Sequence, residues 1–435
     1  MAVNLKEKYH WLVLAACCGL AISSIGICCN SLGVFYTPVS EALGVGRGDF
    51  ALHATISQLA AGLCCPLAVA LLRRCSLKLV LAAGIVLASL STGLMALADH
   101  IAWFYVLGAL RGVGCALYGL TPLMVVLGNW FQKKHGMAVG IAMCCSGLGG
   151  AVFTPIFQQL LLTVGWRTAF LVMAAFIAVL ALPGALSVLC LKPSRKGLLP
   201  YGAVAASVQE EAVESGLSEK KNAGKSGFLS PAFPISILFA LLCACITGLG
   251  QHFPGYAEHA GIGAAVGALM VSASMVGNIV SKLILGVLSD AIGPFRYCSL
   301  MTLINCGALL ALSLLPVRGS LLPLVCAFFY GTIYSVAAVG VPLVVRFVFG
   351  PERYDAVYGV VAVFTSCGGA LGLSVIGYLY DFFGGYGIAI GGCAVLGAVN
   401  VALLLVLALL RKREQAAGPE ERSGKISVQA AEELS

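Results

Sequence analysis

The sequence predicts an all-α integral membrane protein of twelve transmembrane helices, arranged as two pseudo-symmetric six-helix bundles. Three observations carry that expectation. The 435-residue chain is 60% hydrophobic and only 10% charged, with a mean hydropathy of +0.98, so it lacks the charged surface a soluble domain of its size needs. Its apolar residues form long runs, about 20 residues or more, divided by short polar turns and free of period-2 alternation. In hydrocarbon every backbone N–H and C=O must be bonded within its segment, and runs of that length therefore mean spanning helices. Third, one polar stretch, 192–232, parts the runs six from six.

The expected spans are 9–35, 49–72, 77–98, 102–128, 136–162 and 167–191 in the first half. In the second half they are 233–257, 262–288, 297–315, 321–348, 355–380 and 386–410. The first run follows Lys6 and Lys8 as a secretory signal would, but it outlasts a signal's apolar region and is read as a mature helix. Arg47, Arg167 and Arg318 fall in turns on one side of the membrane, and Arg111 and Lys282 lie inside spans. All other Lys and Arg fall on the opposite side, which the positive-inside rule makes cytoplasmic. The expectation is a multi-pass protein of the cytoplasmic (inner) membrane with both termini cytoplasmic. The net charge of +8 then belongs to loops. These are short and lack interleaved aromatics, so no nucleic-acid partner is implied.

The domain reading is 1–191 for the N-terminal bundle, 192–232 for a cytoplasmic linker, 233–410 for the C-terminal bundle and 411–435 for a disordered cytoplasmic tail. The linker carries Pro193, Pro200, Glu210, Glu211 and Glu214 and ends in Lys220, Lys221 and Lys225. The halves echo one another. The stretch Tyr118 to Pro122 in the fourth span matches that from Tyr334 to Pro342 in the tenth. Ala138-Val139-Gly140 matches Ala356 to Gly359, and Gly165-Trp166-Arg167 matches Gly385-Tyr386-Gly387. Three matches in the same order indicate a duplication, the arrangement that suits alternating access at an interface between halves. Glycines cluster in the fifth span (Gly136, Gly140, Gly147, Gly149, Gly150) and the eleventh (Gly368, Gly369, Gly372, Gly377), where small residues let helices approach closely.

After the eighth span, Gly286-Val-Leu-Ser-Asp290-Ala-Ile-Gly293-Pro-Phe-Arg296 resembles the G-x-x-x-D-x-x-G-x-x-R loop of the major facilitator superfamily. The resemblance implies the major facilitator fold, with Gly286, Asp290, Gly293 and Arg296 as a cytoplasmic gate. The matching loop after the second span keeps Arg73, Arg74 and Lys78 but has Ala70 where the Asp belongs. A narrower resemblance is to the monocarboxylate and oxalate/formate exchanger branch. It rests on the run from Asn129-Trp130-Phe131 through Lys133, Lys134, Gly136 and Gly140 to Ala142, and on Gly165-Trp166-Arg167-x-Ala169-Phe170. That branch carries N-x-x-x-R or D-x-x-x-R in the eighth span, and Asn278 and Lys282 occupy those positions, so Lys282 is implied to meet a substrate carboxylate. Lysine supplies a point charge instead of a bidentate fork. Oxalate-type members also carry a Lys in the eleventh span, where this chain has Thr365 or Ser366, which argues against oxalate.

Lys282 and Arg111 are the two strong cations within spans. Asp49, Glu258, Asp355 and Asp381 all sit near span ends. A cavity of net positive charge favours an anion; the structural alternatives are a snorkelling lysine and an arginine bonded to backbone carbonyls. His252 precedes a helix-breaking Pro254-Gly255 and is a candidate proton or carboxylate site, with His53 a weaker one. Asn30, Tyr36, Tyr118, Tyr330, Tyr334 and Asn305 could supply neutral hydrogen bonds or simply pack. The eighteen cysteines occur largely as apolar doublets within spans and read as packing residues.

No Walker loop, zinc-protease helix or nucleophile elbow is present, so neither enzyme activity nor a cofactor is expected. The expected function is secondary active transport of a small organic anion, most simply a monocarboxylate, by proton symport or exchange against a counter-anion, in a monomer embedded in the lipid bilayer. The alternatives are efflux of a larger amphipathic compound and a non-transporting membrane sensor.

Overall fold

The computed structural model describes residues 2–202, 230–315 and 319–416. Most of the expected linker, the tail beyond 416, and Arg318 lie outside the described residues.

Among the described residues, eleven helical stretches are long and apolar enough to cross a membrane. One of them, His135–Val188, runs for 54 residues, more than twice what a bilayer accommodates. It breaks at Gly165, where φ 79° and ψ 169° leave the helical region. The halves fold back on each other, with Phe153 and Phe157 of one against Phe176 of the other. The spans are therefore α1 (Tyr9–Leu43), α2 (Arg47–Arg74), α3 (Leu77–Leu97), α4 (Ile101–Trp130), α5 (135–164) and α6 (166–188). They continue with α7 (Ala232–His259), α8 (Ala264–Ile292), α9 (Pro294–Leu314), α10 (Leu321–Gly350), α11 (Ala356–Phe383) and α12 (Gly387–Ala416). Gly350 (φ 76°, ψ 166°) turns α10 into α11 with the backbone geometry of Gly165, a region essentially reserved for glycine. Helix α12 continues past the expected end at 410.

Most spans are not uniform helices. Helix α1 passes through a wide turn at Ile22–Asn30 and a tight one at Leu32–Phe35 before resuming. Helix α4 is interrupted at Gly119 (ψ −136°) and restarts at Leu120, which leaves Pro122 in a first turn, where its missing N–H costs nothing. Helix α10 widens over Val336–Gly340 and restarts with Pro342 in its first turn. The two stretches that matched in sequence are thus both helix breaks.

The buried side chains form two cores. One runs from Val13 to Cys190 and takes in Ala268 and Leu373; the other runs from Ala232 to Leu407. Two seams join them. Along α2 and α11, the Thr55 hydroxyl donates to Ala370 O at 2.6 Å and lies 2.7 Å from Ser374 Oγ. Along α5 and α8, Ser272 donates to Ala151 O at 2.7 Å, and Gly147 and Gly150 face Ile279 and Met275. Gly368 and Gly372 sit directly against α7 carbonyls, while Gly136 and Gly140 face open space, so the glycine clusters serve close packing only in part.

The Asn129-Trp130-Phe131 run clamps the end of the first half. Asn129 donates to Leu191 O at 3.0 Å and Trp130 Nε1 to Cys190 O at 2.8 Å. Tyr201 N donates to Trp130 O and its carbonyl accepts from Gln132 and Lys133.

Candidate functional site: a cationic cavity between the bundles

A cleft opens between the two cores. Helices α1, α2 and α4 give it Cys28, Cys29, Asn30, Tyr36, Ser57, Gln58 and Arg111; α7, α10 and α11 give it Thr247, Gln251, Tyr334, Gly369 and Leu373. Among the described residues, Arg111 is the one cation of this wall. Its placement follows from α4's small residues: Gly108 and Gly112 press against His53 O and Ser57 O of α2. That contact swings Arg111 inward, where it is 1% exposed. Nε donates to Ser57 Oγ at 3.4 Å, and Nη1 is buried without a partner. Around the guanidinium stand Cys28, Cys29, Tyr36, His53 and Cys115. A buried charge without a counter-ion is costly, of order several kcal/mol, and such a group in a cavity between helices is an anion site in want of its anion.

The remaining sequence candidates divide. Asn30 and Tyr334 line the cleft with Arg111. Asn30 already donates to Ser146 O at 3.2 Å, and Tyr334 to Thr247 O at 3.1 Å. Tyr118 lies behind the wall, its hydroxyl 3.1 Å from Ser23 Oγ and 3.7 Å from Cys28 Sγ. Tyr330 is saturated: it donates to Ile246 O at 2.7 Å and accepts from Gly250 N at 2.9 Å. That makes it a brace between α10 and α7. Asn305 donates to Tyr330 O. His252, 1% exposed, bonds Leu373 O through Nε2 at 2.8 Å and keeps Nδ1 unpartnered.

Lys282 and Asn278 do not line the cleft. They lie one turn apart on α8. Lys282 is half-buried and faces Cys144 across the α5–α8 seam, and Asn278 is buried with Oδ1 unpartnered. In the loop candidates, Gly293 adopts φ 85° between α8 and α9 and Arg296 is exposed. The side chains at Gly286 and Asp290 are outside what the structure describes, so the contacts of the gate that the motif implies are too.

Two features escaped sequence reasoning. Gln251 stitches the bundles, with Oε1 accepting from Gly33 N at 2.8 Å and Nε2 donating to Asn30 O at 3.2 Å; an amide in an apolar span was its only signal. Second, the face bearing Arg47 is latched shut. The Asp381 carboxylate of α11 accepts from Arg47 N at 3.0 Å and Gly48 N at 2.7 Å, capping the N-terminus of α2 from the other bundle, where a negative charge meets unsatisfied N–H groups. Tyr378 donates to Asp49 at 3.0 Å. The Arg47 guanidinium lies 4.2 Å over the Tyr380 ring and donates to Tyr386 at 3.1 Å; burial pushes that phenol up to about 12, so it stays protonated. His53 and Tyr36, both candidates from the sequence, stand beside Arg111 as buried groups with unpartnered polar atoms.

The sequence model of the Major Facilitator Superfamily matches residues 13–362. Human monocarboxylate transporter 11 is 30% identical over 289 residues, which are 65% of this chain and 56% of that protein. Monocarboxylate transporter 12 of Mus musculus is 24% identical over 437 residues, 94% of this chain and 88% of that one. Among solved structures, a bacterial homolog of the human lysosomal transporter Spinster has a similar fold. Its TM-score is 0.67 at 15% identity, over 93% of this chain and 96% of the other. Two apolar-helix bundles closed on one face around a cavity, together with a family match across most of their length, identify the chain as a member of the Major Facilitator Superfamily, a transporter and not an enzyme.

Proposed function

We propose that the protein carries a small organic anion, a monocarboxylate, across the cytoplasmic membrane by alternating access, with Arg111 as the anchor of the carboxylate. The observation that supports this most is the buried guanidinium on the cleft wall with an unpartnered Nη1 and only a neutral serine for company. One cation calls for one negative charge, and the similarity to monocarboxylate transporters points the same way. Asn30 and Tyr334 flank the anchor as orienting groups. Lys282, away from the cleft but between the bundles, is a second cationic station on the exit side. With both termini in the cytoplasm, the latched face is the outer one, so this conformation is closed to the outside. Coupling is by proton symport or by anion exchange.

Arg111→Met tests the anchor without any assumption about coupling. Removing an uncompensated buried charge should leave the ligand-free protein equally stable or more stable, by about 1 kcal/mol or more. Saturating anion at 100 times its Kd should stabilise the wild type by about 2.7 kcal/mol and the variant not at all. Equal thermal shifts of both proteins across a panel of lactate, pyruvate, formate, acetate, succinate and oxalate would remove Arg111 from the site.

A further inference from the structure

We propose that His53 and His252, both packed against Tyr36 where the two bundles meet, form the proton site that couples anion movement to a proton gradient; this rests on the anion-transport reading above. His53 belongs to α2 and His252 to α7, so each bundle contributes one imidazole. The Tyr36 ring stands edge-on to both, with centroids 5.2 Å from His252 and 6.4 Å from His53. Each imidazole bonds one backbone carbonyl, His53 Nδ1 to Phe50 O and His252 Nε2 to Leu373 O. A carbonyl only accepts, so those nitrogens carry the ring proton. The other nitrogen of each ring, Nε2 of His53 and Nδ1 of His252, is a bare lone pair, buried and unpartnered, and the Tyr36 hydroxyl is equally unpartnered. Three orphaned polar atoms about one ring are far more than packing alone tolerates. They make a vacant place for a proton.

The position suits coupling. On one side Tyr36 lines the cleft that holds Arg111. On the other, His252 packs 5.9 Å from Tyr386, the phenol that receives Arg47 in the latch. Opening the latch therefore uncovers the imidazoles to the outer medium, and closing it seals them against the cleft. The charged groups bearing on the pair are both cations, Arg111 on His53 and Arg47 on His252. Two phenols and a thiol (Tyr36, Tyr386 and Cys29) are also titratable neighbours, and beyond them the carboxylates Asp381 and Glu258 bear on Tyr386 and Arg47. A proton arriving alone would set a third positive charge between two guanidiniums. A carboxylate on Arg111 offsets it, so proton and anion favour each other's binding by the same factor. In the step itself a proton from water adds to Nε2 of His53 or Nδ1 of His252 and leaves for water on the other side; no other bond changes.

The variants that isolate this role keep the carbonyl hydrogen bond and delete the free nitrogen. Asn places an amide N–H near Nδ1, hence His53→Asn; Gln places one near Nε2, hence His252→Gln. In proteoliposomes with the labelled acid panel, the wild type should accumulate an acid under an inward proton gradient. Each variant should lose that accumulation about tenfold or more while still exchanging labelled for unlabelled acid, which also shows that it folds. Gradient-driven accumulation retained in both variants would overturn the proposal. So would wild-type exchange with no response to the gradient, although anion transport would then stand. No flux of any acid by either mode would overturn both.

Discussion

A single methyl group at Gly33 should unlock the closed face. A Cβ built there falls 2.1 Å from Gln251 O and 2.9 Å from Gln251 Cα, both backbone atoms that no rotamer change can move. Ordinary contact needs about 1.3 Å more separation of α1 and α7. That displacement also stretches the Gly33 N to Gln251 Oε1 bond, now 2.8 Å, out of range. Overpacking costs about 1–3 kcal/mol and the lost hydrogen bond about 1 kcal/mol. The closed state is thus weakened by about 2–4 kcal/mol, a shift of roughly 30-fold or more toward the state open on that face. Amide exchange reads it directly, because Arg47 and Gly48 N–H are held by Asp381 only when the face is shut. In Gly33→Ala these two amides should exchange at least about tenfold faster, with core amides of α3 and α9 unaffected. Gly140→Ala, which meets open space, is the control. Wild-type exchange at Arg47 and Gly48 in a folded Gly33→Ala protein would refute the closed-face packing.

Two further substitutions probe the fold. Gly165→Ala forces a side chain onto φ 79° and ψ 169° and should cost about 1–3 kcal/mol, seen as a lower melting temperature; no change would mean the α5–α6 turn is wrongly drawn. Trp130→Phe removes the 2.8 Å bond to Cys190 O, worth about 1 kcal/mol, and should lower the melting temperature by a few degrees; an unchanged value would show the Trp130 clamp to be idle.

Helix positions were legible in the sequence because burial in lipid writes itself as run length, and every expected span has its helix. What composition could not convey was how the spans break: α1 widens at Ile22–Asn30 with no proline to announce it. Arg111 was legible as a cation without an acid in its own span, a property the three-dimensional neighbourhood keeps. Tyr330 was ambiguous because a tyrosine that braces two helices and one that faces a ligand look alike until the partners, here Ile246 O and Gly250 N, are placed. Lys282 stood out by charge and by its motif position, yet whether α8 reaches the cleft at all depends on how whole helices pack, and its residues do not line it. The Asp381 cap joins residues more than 330 positions apart, and nothing local marks it.

Transport anchored on Arg111 is tested most directly by uptake of the labelled acid panel into proteoliposomes, wild type beside Arg111→Gln, with an inward proton gradient and separately with internal counter-acid. The prediction is saturable uptake of a monocarboxylate by the wild type in at least one mode, reduced about 100-fold or more in kcat/KM by the substitution, roughly 3 kcal/mol at 1.4 kcal/mol per decade. Uptake that survives Arg111→Gln, or a wild type that moves no acid in either mode, would contradict it.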